Sequence, residues 1–309
     1  MILMPSMNLT MGNEEYFIVV EPNVPQAFRM ASPLISKQER VIYSLPHVLR
    51  LRGLVPKEES ERHGSFHPLW RYSYVCASDE IIGKSEQGSP ILIEVHGCGI
   101  ITLEKLSRML FKAQNLRLEG AIPVQESDVR NLLRGILPDG TEIPVLSYTE
   151  LYSETISLPE RYAVVMGLDV AQASAKGRRI SLEVLRENPL FIARTGGITA
   201  ANAYLDLEVH PYSRVSEYSH MLSLPTAYDL PHGRLLEVCG YSLGGIKNRD
   251  NLGTEARVLV GPVQARRAVA EVPLIEALVN VQLPRSVYAA MQRGLPFEFG
   301  GRRYEVSLK

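Results

Sequence analysis

Two turn signals constrain the kind of sheet that this chain can form. Asp139-Gly140 lies within "GILPDGTEIPVL" and Gly300-Gly301 lies within "LPFEFGGRRYEVSL", and each dipeptide separates two runs with strand character. Dipeptides of this kind suit the positive φ angles that a two-residue β-turn requires. Each therefore predicts a hairpin, in which neighbouring strands pair in antiparallel fashion.

Strand and helix patterns are mixed along the chain without a strict strand–helix–strand rhythm. Apolar runs with strand character lie at residues 16–20, 91–95, 161–170, 234–239 and 255–260. The clearest helical pattern is "TLEKLSRMLFKAQNL", which places its apolar residues on one face and its lysines and arginine on another. The mixture favours an α+β fold with mixed or antiparallel sheets and several helices over a doubly wound parallel sheet.

Six prolines are spread between residues 22 and 68, a spacing that interrupts helix interiors. This segment is therefore predicted to be extended, with short strands and loops. Further along, the polar and turn-rich stretch 147–160 marks a candidate boundary. It would divide the chain into an N-terminal α+β region at 1–150 and a C-terminal α+β region at 151–309, with a single domain as the alternative.

Charge and cysteine content exclude several classes of protein. Lysine and arginine number 33 against 34 aspartates and glutamates, so a partner held by overall charge, such as bulk DNA or an anionic membrane, is not expected. The three cysteines are widely spaced, which argues against a disulfide framework and favours the cytoplasm. No run of 18 apolar residues predicts a membrane span, and the glycine-rich nucleotide-binding patterns are absent, so no cofactor is expected.

Gly240-Tyr241-Ser242-Leu243-Gly244 matches G-x-S-x-G, the nucleophile elbow of serine hydrolases. A strand pattern precedes it, and "VHGCG" at 95–99 resembles the oxyanion loop of α/β-hydrolases. In that family the catalytic histidine follows the serine, whereas all seven histidines here precede Ser242. The polar "IKNRDNLG" that follows also indicates a loop between strands, so a glycine-rich turn is the favoured interpretation.

Two further candidates involve histidine. His96 and Cys98 lie two residues apart at a strand end, where they would share a face and form a nucleophile–base pair. A buried thiol beside a loop histidine is the alternative. His63 and His67 have metal-ligand spacing, but Gly64 and Pro68 disfavour the helix that such a site needs. No metal site is therefore predicted.

Cations and aromatic rings alternate in "ERHGSFHPLWRYSY" at 61–74, and short arginine clusters follow at 176–179 and 300–304. Sites for single-stranded nucleic acid combine such cations with stacking rings. The candidate contact residues are Arg62, Trp70, Arg71, Tyr72, Arg178, Arg179, Arg302 and Arg303. The alternative is that Trp70 belongs to the core and that the arginines are simply solvated.

The leading hypothesis is a cytoplasmic binding or assembly protein, a subunit of a larger assembly. It would associate with itself or with a partner protein, and single-stranded nucleic acid is a candidate ligand. The alternative is a hydrolase in which Ser242 or Cys98 is the nucleophile and a histidine is the base. The sequence does not decide whether the protein is an enzyme.

Overall fold

Strands and helices follow one another irregularly, which confirms the predicted α+β fold. The described strands are β1 (Ser6–Met11), β2 (Glu14–Glu21), β3 (Arg40–Ile42), β4 (Tyr74–Lys84), β5 (Pro90–His96), β6 (Ile122–Pro123), β7 (Val145–Ser147), β8 (Tyr162–Gly167), β9 (Ile180–Ser181), β10 (Glu217–Tyr218), β11 (His232–Val238), β12 (Ile246–Asn248), β13 (Ala256–Pro262), β14 (Phe297–Phe299) and β15 (Arg302–Tyr304). The described helices are α1 (Val24–Gln38), α2 (Leu45–Leu54), α3 (Pro68–Arg71), α4 (Leu103–Leu110), α5 (Glu126–Leu133), α6 (Leu168–Ser174), α7 (Leu182–Arg186), α8 (Pro189–Thr195) and α9 (Ile198–Glu208).

The structure is a computed structural model, and it describes part of the chain. The described residues are 6–11, 14–38, 40–55, 67–97, 99–110, 120–175, 180–208, 217–218, 231–240, 245–263, 297–299 and 302–304. The chain divides into two units, Met1–Arg266 and Arg267–Lys309. In the second unit, β14 and β15 pair in antiparallel fashion with Phe297 opposite Tyr304.

A seven-stranded sheet lies at the centre of the first unit. Its strand order is β12–β11–β4–β5–β8–β7, and β6 pairs with β11 beside this path. The pairing of β7 with β8 is parallel, whereas the other pairings in this sheet are antiparallel. Because β4 and β11 are neighbours, strands from both sides of residue 150 belong to one sheet.

The main hydrophobic core lies between this central sheet and a second sheet with the order β1–β2–β13–β3. Helix α1 packs on β13 and on α4, and its buried side chains belong to the same core. Ala77, Ile81, Ile93 and Leu235 supply core side chains from the central sheet, and Val258 supplies one from the second sheet. Each fully buried valine or isoleucine side chain stabilises the fold by about 1.5–3 kcal/mol.

Helices α2, α8 and α9 cover the opposite face of the central sheet. The backbone N–H of Leu45 in α2 donates to Ser78 Oγ in β4, and α8 reaches β5 through the carbonyl of Ala193. Helix α9 packs on both α2 and α8. This face buries several polar side chains, namely Ser78, Glu80, Glu94 and His96.

The described part of the proline-rich N-terminal segment is mostly helical, so the prediction of an extended segment was wrong there. Pro25 and Pro46 lie in the first turns of α1 and α2, where a backbone N–H has no intrahelical acceptor and its loss costs nothing. Pro33 lies inside α1 and removes one hydrogen bond there. The burial of Ala27 and Ala31 against the main core offsets that loss.

The predicted turn at Asp139-Gly140 is present. The Leu137 N–H donates to the Thr141 carbonyl at 3.0 Å, and Gly140 adopts a φ of +79°. The flanking runs pair only through a bridge between Ile136 and Glu142. The second predicted turn lies between β14 and β15, and Gly300-Gly301 themselves are outside the described residues.

Candidate ligand site around Asp79

A cavity of about 260 Å³ lies between α1, the 99–103 loop and the core face of the central sheet. Most of its wall is apolar, and the apolar side chains include Phe28, Ile35, Ile42, Ala77, Leu103 and Leu235. The polar side chains are Ser32, Asp79, Thr102, Asp139 and Arg161. Apolar walls with a few polar groups are typical of sites for small molecules.

Strand β4 places Asp79 at this cavity. Side chains alternate between the two faces of a strand, so Asp79 shares a face with Ala77 and Ile81, which both belong to the main core. Only 2% of Asp79 is exposed, and its Oδ2 accepts a hydrogen bond from the Ile101 N–H at 2.8 Å. A carboxylate therefore lies inside an otherwise apolar layer.

Burial raises the pKa of Asp79 to about 7, because a low-dielectric site disfavours the charged carboxylate. The Ile101 and Ile100 backbone N–H groups and the Lys105 charge oppose this shift. Lys105 itself is bound to Asp128 at 2.8 Å and to the Ile100 carbonyl at 3.2 Å. Among the described residues, no lysine or arginine forms an ion pair with Asp79.

The rim of the cavity carries an ion pair. Arg161 contacts Asp139 at 3.0 Å and the Thr141 hydroxyl at 3.1 Å. Partial burial alone would raise the pKa of Asp139, but hydrogen bonds from Thr141 and Arg161 lower it. The two rim charges cancel, so an ionised Asp79 gives the cavity a net negative charge.

His96 has both ring nitrogens occupied. Its Nδ1 lies 2.9 Å from Ser78 Oγ, and its Nε2 lies 3.0 Å from the Ala193 carbonyl oxygen. A carbonyl only accepts, so Nε2 carries the proton and Nδ1 accepts from the Ser78 hydroxyl. Burial lowers the pKa of His96 to about 4, which keeps the ring neutral. This arrangement leaves His96 no nitrogen to activate a nucleophile, and its predicted partner Cys98 is outside the described residues.

The G-x-S-x-G segment connects one strand to another strand. Strand β12 returns along β11 with Ile246 opposite Val238, and the Cys239 N–H donates to the Gly245 carbonyl at 2.8 Å. A nucleophile elbow leads from a strand into a helix, so the described flanks of this segment lack that context. Ser242 lies in 241–244, which the structure does not describe.

The structure describes only part of the predicted basic and aromatic segment at 61–74, and it places Trp70 in a different set of contacts from Arg71 and Tyr72. Trp70 stacks on Tyr204 with a centroid distance of 6.2 Å and lies 5.1 Å from the buried Arg52 guanidinium. Arg71 is exposed, and both Arg71 and Arg257 lie over the Tyr72 ring, at 5.4 and 4.6 Å. Of the other predicted contact residues, Arg62, Arg178 and Arg179 lie outside the described residues. Arg302 and Arg303 lie in β15, where only the backbone is described.

Arg52 fixes the backbone around this segment. Its guanidinium donates to the carbonyls of Leu69 at 2.9 Å, Tyr72 at 3.3 Å and Cys239 at 2.8 Å. It also donates to the Tyr204 hydroxyl at 3.1 Å. Trp70 therefore covers a buried structural arginine and belongs to the folded framework.

A buried ionic cluster joins α8 to the helix-covered face of the central sheet. Arg194 contacts Glu80 at 2.5 Å and Glu94 at 3.2 Å, and Asn248 donates to Glu80. Burial and the neighbouring Glu80 charge raise the pKa of Glu94 well above its usual range. The pKa of Glu80 is lowered, because Arg194 and its hydrogen bonds outweigh the effect of burial. Of the two acids, Glu94 therefore holds a proton more readily, and Glu80 is the better partner for the Arg194 charge.

Reasoning from the sequence did not identify Asp79. The available signal was a charged residue inside the strand-like "YVCASDEIIGK", at an alternate position to Ala77 and Ile81. The neighbouring Glu80 is also charged, and a single sequence does not show which of the two faces a cavity. The cavity itself depends on α1 and the 99–103 loop, which pack against β4 only in the folded chain.

Neither a metal cluster nor a membrane helix is found in the parts of the chain that the structure describes. Within those parts, no three His, Cys, Asp or Glu side chains are grouped as metal ligands would be. The helices described above are all too short or too polar to cross a bilayer.

The sequence matches no protein-family model, and it has no significant match among curated proteins. Its fold is similar to a solved structure that illustrates the accommodation of massive sequence variation in Nanoarchaeota by the C-type lectin fold. The two chains are 17% identical with a TM-score of 0.59, and the match covers 81% of this chain and 99% of the other. At this identity the likeness establishes the fold alone, so the chain has a C-type-lectin-like fold.

Proposed function

We propose that this protein acts by binding and that the cavity around Asp79 is its ligand site. The observation that carries this proposal is the position of the Asp79 carboxylate, which is 2% exposed and faces a cavity instead of an ion-pair partner. Burying such an acid lowers stability, and strongly perturbed acids in cavities are concentrated at functional sites. A ligand that pairs with Asp79 would recover this loss.

Binding is favoured over hydrolysis by the geometry of His96. A histidine base must have a nitrogen within reach of its nucleophile, whereas both nitrogens of His96 hold structural elements together. The flanks of Ser242 also join two antiparallel strands. In the described residues, His96 is thus held in a structural role, and the flanks of Ser242 lack the strand–helix context of a nucleophile elbow.

Binding of small organic fragments to the purified protein tests the proposal. We expect ligand-observed NMR to detect fragments that bind the wild-type protein and are lost in Ser32→Phe, because Ser32 is exposed on α1 and lines the cavity. Ser127→Phe is the matched control, since it adds the same ring to an exposed position on α5 away from the cavity. Equal binding to both variants would place the fragments elsewhere and contradict the proposal.

Assembly with partner chains or with single-stranded nucleic acid is a second proposal. It is supported by the exposed Arg71 and by Arg257, which both lie over the Tyr72 ring and offer cations beside an aromatic surface. Light scattering on the purified protein, with absorbance at 260 and 280 nm recorded on the same peak, tests it. A monomer free of nucleic acid that also fails to retain an oligonucleotide would exclude it.

A further inference from the structure

We propose that the Asp79 cavity binds a small organic cation, a protonated amine attached to an apolar group about the size of a benzene ring. This inference rests on the proposed function, because it names the ligand class of the same site. It follows from three properties of the cavity: its charge, its shape and the state of its acid.

The charge of the cavity favours a cation. Asp79 lies among apolar side chains, and the Arg161–Asp139 pair at the rim contributes no net charge. Lys105 lies near Asp79 but is held by Asp128 and by the Ile100 carbonyl. Asp79, Asp139 and Arg161 are the charged residues that line the cavity. An amine that enters the cavity therefore meets one carboxylate without a direct cationic partner.

The shape of the cavity favours an apolar body on that amine. A cavity of about 150 Å³ lined by leucine, isoleucine and phenylalanine is large enough to hold benzene. The cavity here is about 260 Å³, so it has room for one ring and a short aminoalkyl chain. Phe28, Ile42 and Leu235 supply apolar contacts for the ring. An inorganic cation would leave this apolar surface without a partner.

The protonation state of Asp79 links binding to pH. An ammonium group favours the ionised carboxylate, so binding lowers the pKa of Asp79 from its value of about 7 in the free protein. Near neutral pH, part of the free protein carries a proton on Asp79 and must release it when the amine binds. A neutral ligand of the same shape requires no such release.

Calorimetry with phenethylamine and with 2-phenylethanol, its neutral counterpart, tests the inference. At about pH 8 we expect the amine to bind at least about tenfold more tightly than the alcohol. In Asp79→Asn this preference should fall to about twofold or less, whereas Asp250→Asn, which removes an exposed acid that does not line the cavity, should retain it. Because Asp79→Asn changes a buried group, a far-UV circular dichroism spectrum and a melting curve should be recorded for each variant to check that it is folded.

A second measurement needs no variant. Titrations of the wild-type protein with phenethylamine at about pH 6.5, in two buffers of different ionisation enthalpy, should show release of a large fraction of one proton per amine bound. The alcohol should release none. An amine that binds without proton release and keeps its preference over the alcohol in Asp79→Asn does not pair with Asp79, and that result would overturn the inference.

The outcomes separate the inference from the proposed function. Equal affinity for amine and alcohol, both lost in Ser32→Phe, would overturn the choice of a cation and leave the binding site intact. Absence of amine binding to the wild-type protein would also overturn the inference. The proposed function would fail as well only if no fragment showed sensitivity to Ser32→Phe.

Discussion

A Cβ atom built on Gly99 would stand 2.3 Å from the Asp79 Oδ2, which is closer than atoms without a bond between them approach. A side chain at position 99 would therefore collide with the Asp79 carboxylate, which occupies the space that it would fill. The same oxygen accepts the Ile101 N–H. The loop and the acid are thus matched in shape as well as in hydrogen bonding.

Gly99→Ala should displace the Asp79 carboxylate and lower the free energy of unfolding by about 1–3 kcal/mol, the usual cost of overfilling a packed site. The same substitution should cost less in an Asp79→Ala background, where the colliding group is gone. Urea denaturation of the four proteins of this cycle measures the coupling. Strictly additive losses would show that the two positions do not compete for space.

The stability of the wild-type protein relative to Asp79→Asn should depend on pH. The pKa of Asp79 is about 7 in the folded protein against an ordinary value of 3.8 for aspartate, so the folded state holds this proton more tightly. The stability that the protonated acid provides is therefore lost as the pH rises from about 4 to about 7, by at most about 1.4 kcal/mol per pH unit. Above that window the difference between the two proteins should be constant.

Denaturant titrations across this pH range, with Asp139→Asn as the comparison, measure the effect. Because the pKa of Asp139 is lowered in the folded state, its contribution to stability should be lost only as the pH falls below about 4. Between about pH 4 and 7, only the difference between Asp79→Asn and the wild-type protein should therefore change. A flat difference for Asp79→Asn would mean that this acid titrates normally.

Glu80→Gln and Glu94→Gln should differ sharply at neutral pH. The raised pKa of Glu94 favours its neutral form, so an amide in its place should change the free energy of unfolding by less than about 1 kcal/mol. Glu80→Gln removes the charge that balances the buried Arg194, and breaking such a pair costs about 3–5 kcal/mol. Equal losses of stability in the two variants, measured by thermal or urea denaturation, would show that the proton is shared differently between Glu80 and Glu94.

His96→Ala should destabilise the protein without altering the preference for an amine over a neutral ligand. The substitution leaves the Ser78 hydroxyl and the Ala193 carbonyl without their buried partner, and an unsatisfied buried group costs about 1–3 kcal/mol. Circular dichroism melts and the amine titration measure the two effects separately. Wild-type stability together with lost binding would place His96 at the ligand site and not in the framework.

A fluorophosphonate probe should not label Ser242. The nucleophile hypothesis requires a base, and the described residues around β11 and β12 supply a strand pairing in place of an elbow. Mass spectrometry of the treated protein measures the adduct, and Ser242→Ala controls for labelling at other serines. An adduct on Ser242 that forms at a rate dependent on a histidine would restore the hydrolase hypothesis.

Local patterns predicted the elements whose structure depends on their own residues. Strand β5 is a short run of β-branched and leucine residues, and α4 places Leu106 and Met109 on its buried face. Pairings between distant segments were not predictable in this way. Strand β11 lies beside β4 although well over a hundred residues separate them, and Arg194 meets Glu80 only because α8 packs on that sheet.

The prolines show that a local pattern can also predict the wrong structure. Proline in a first turn favours a helix and proline in a helix interior opposes it, so its effect depends on where the helix begins. Pro46 follows Ser44-Leu45 at the start of α2, and only the packing of α2 on the sheet fixes that start. The spacing of prolines alone therefore pointed to the wrong structure.

The anchoring by Arg52 has a consequence for how this fold can evolve. Three of its four acceptors are main-chain oxygens, at Leu69, Tyr72 and Cys239, and a main-chain oxygen is the same whichever amino acid carries it. The guanidinium thus holds two separate segments in place, residues 69–72 and the residue after β11, while imposing no sequence on them. Substitutions at those positions leave these contacts intact, so the surrounding surface can change in sequence while the backbone stays in place.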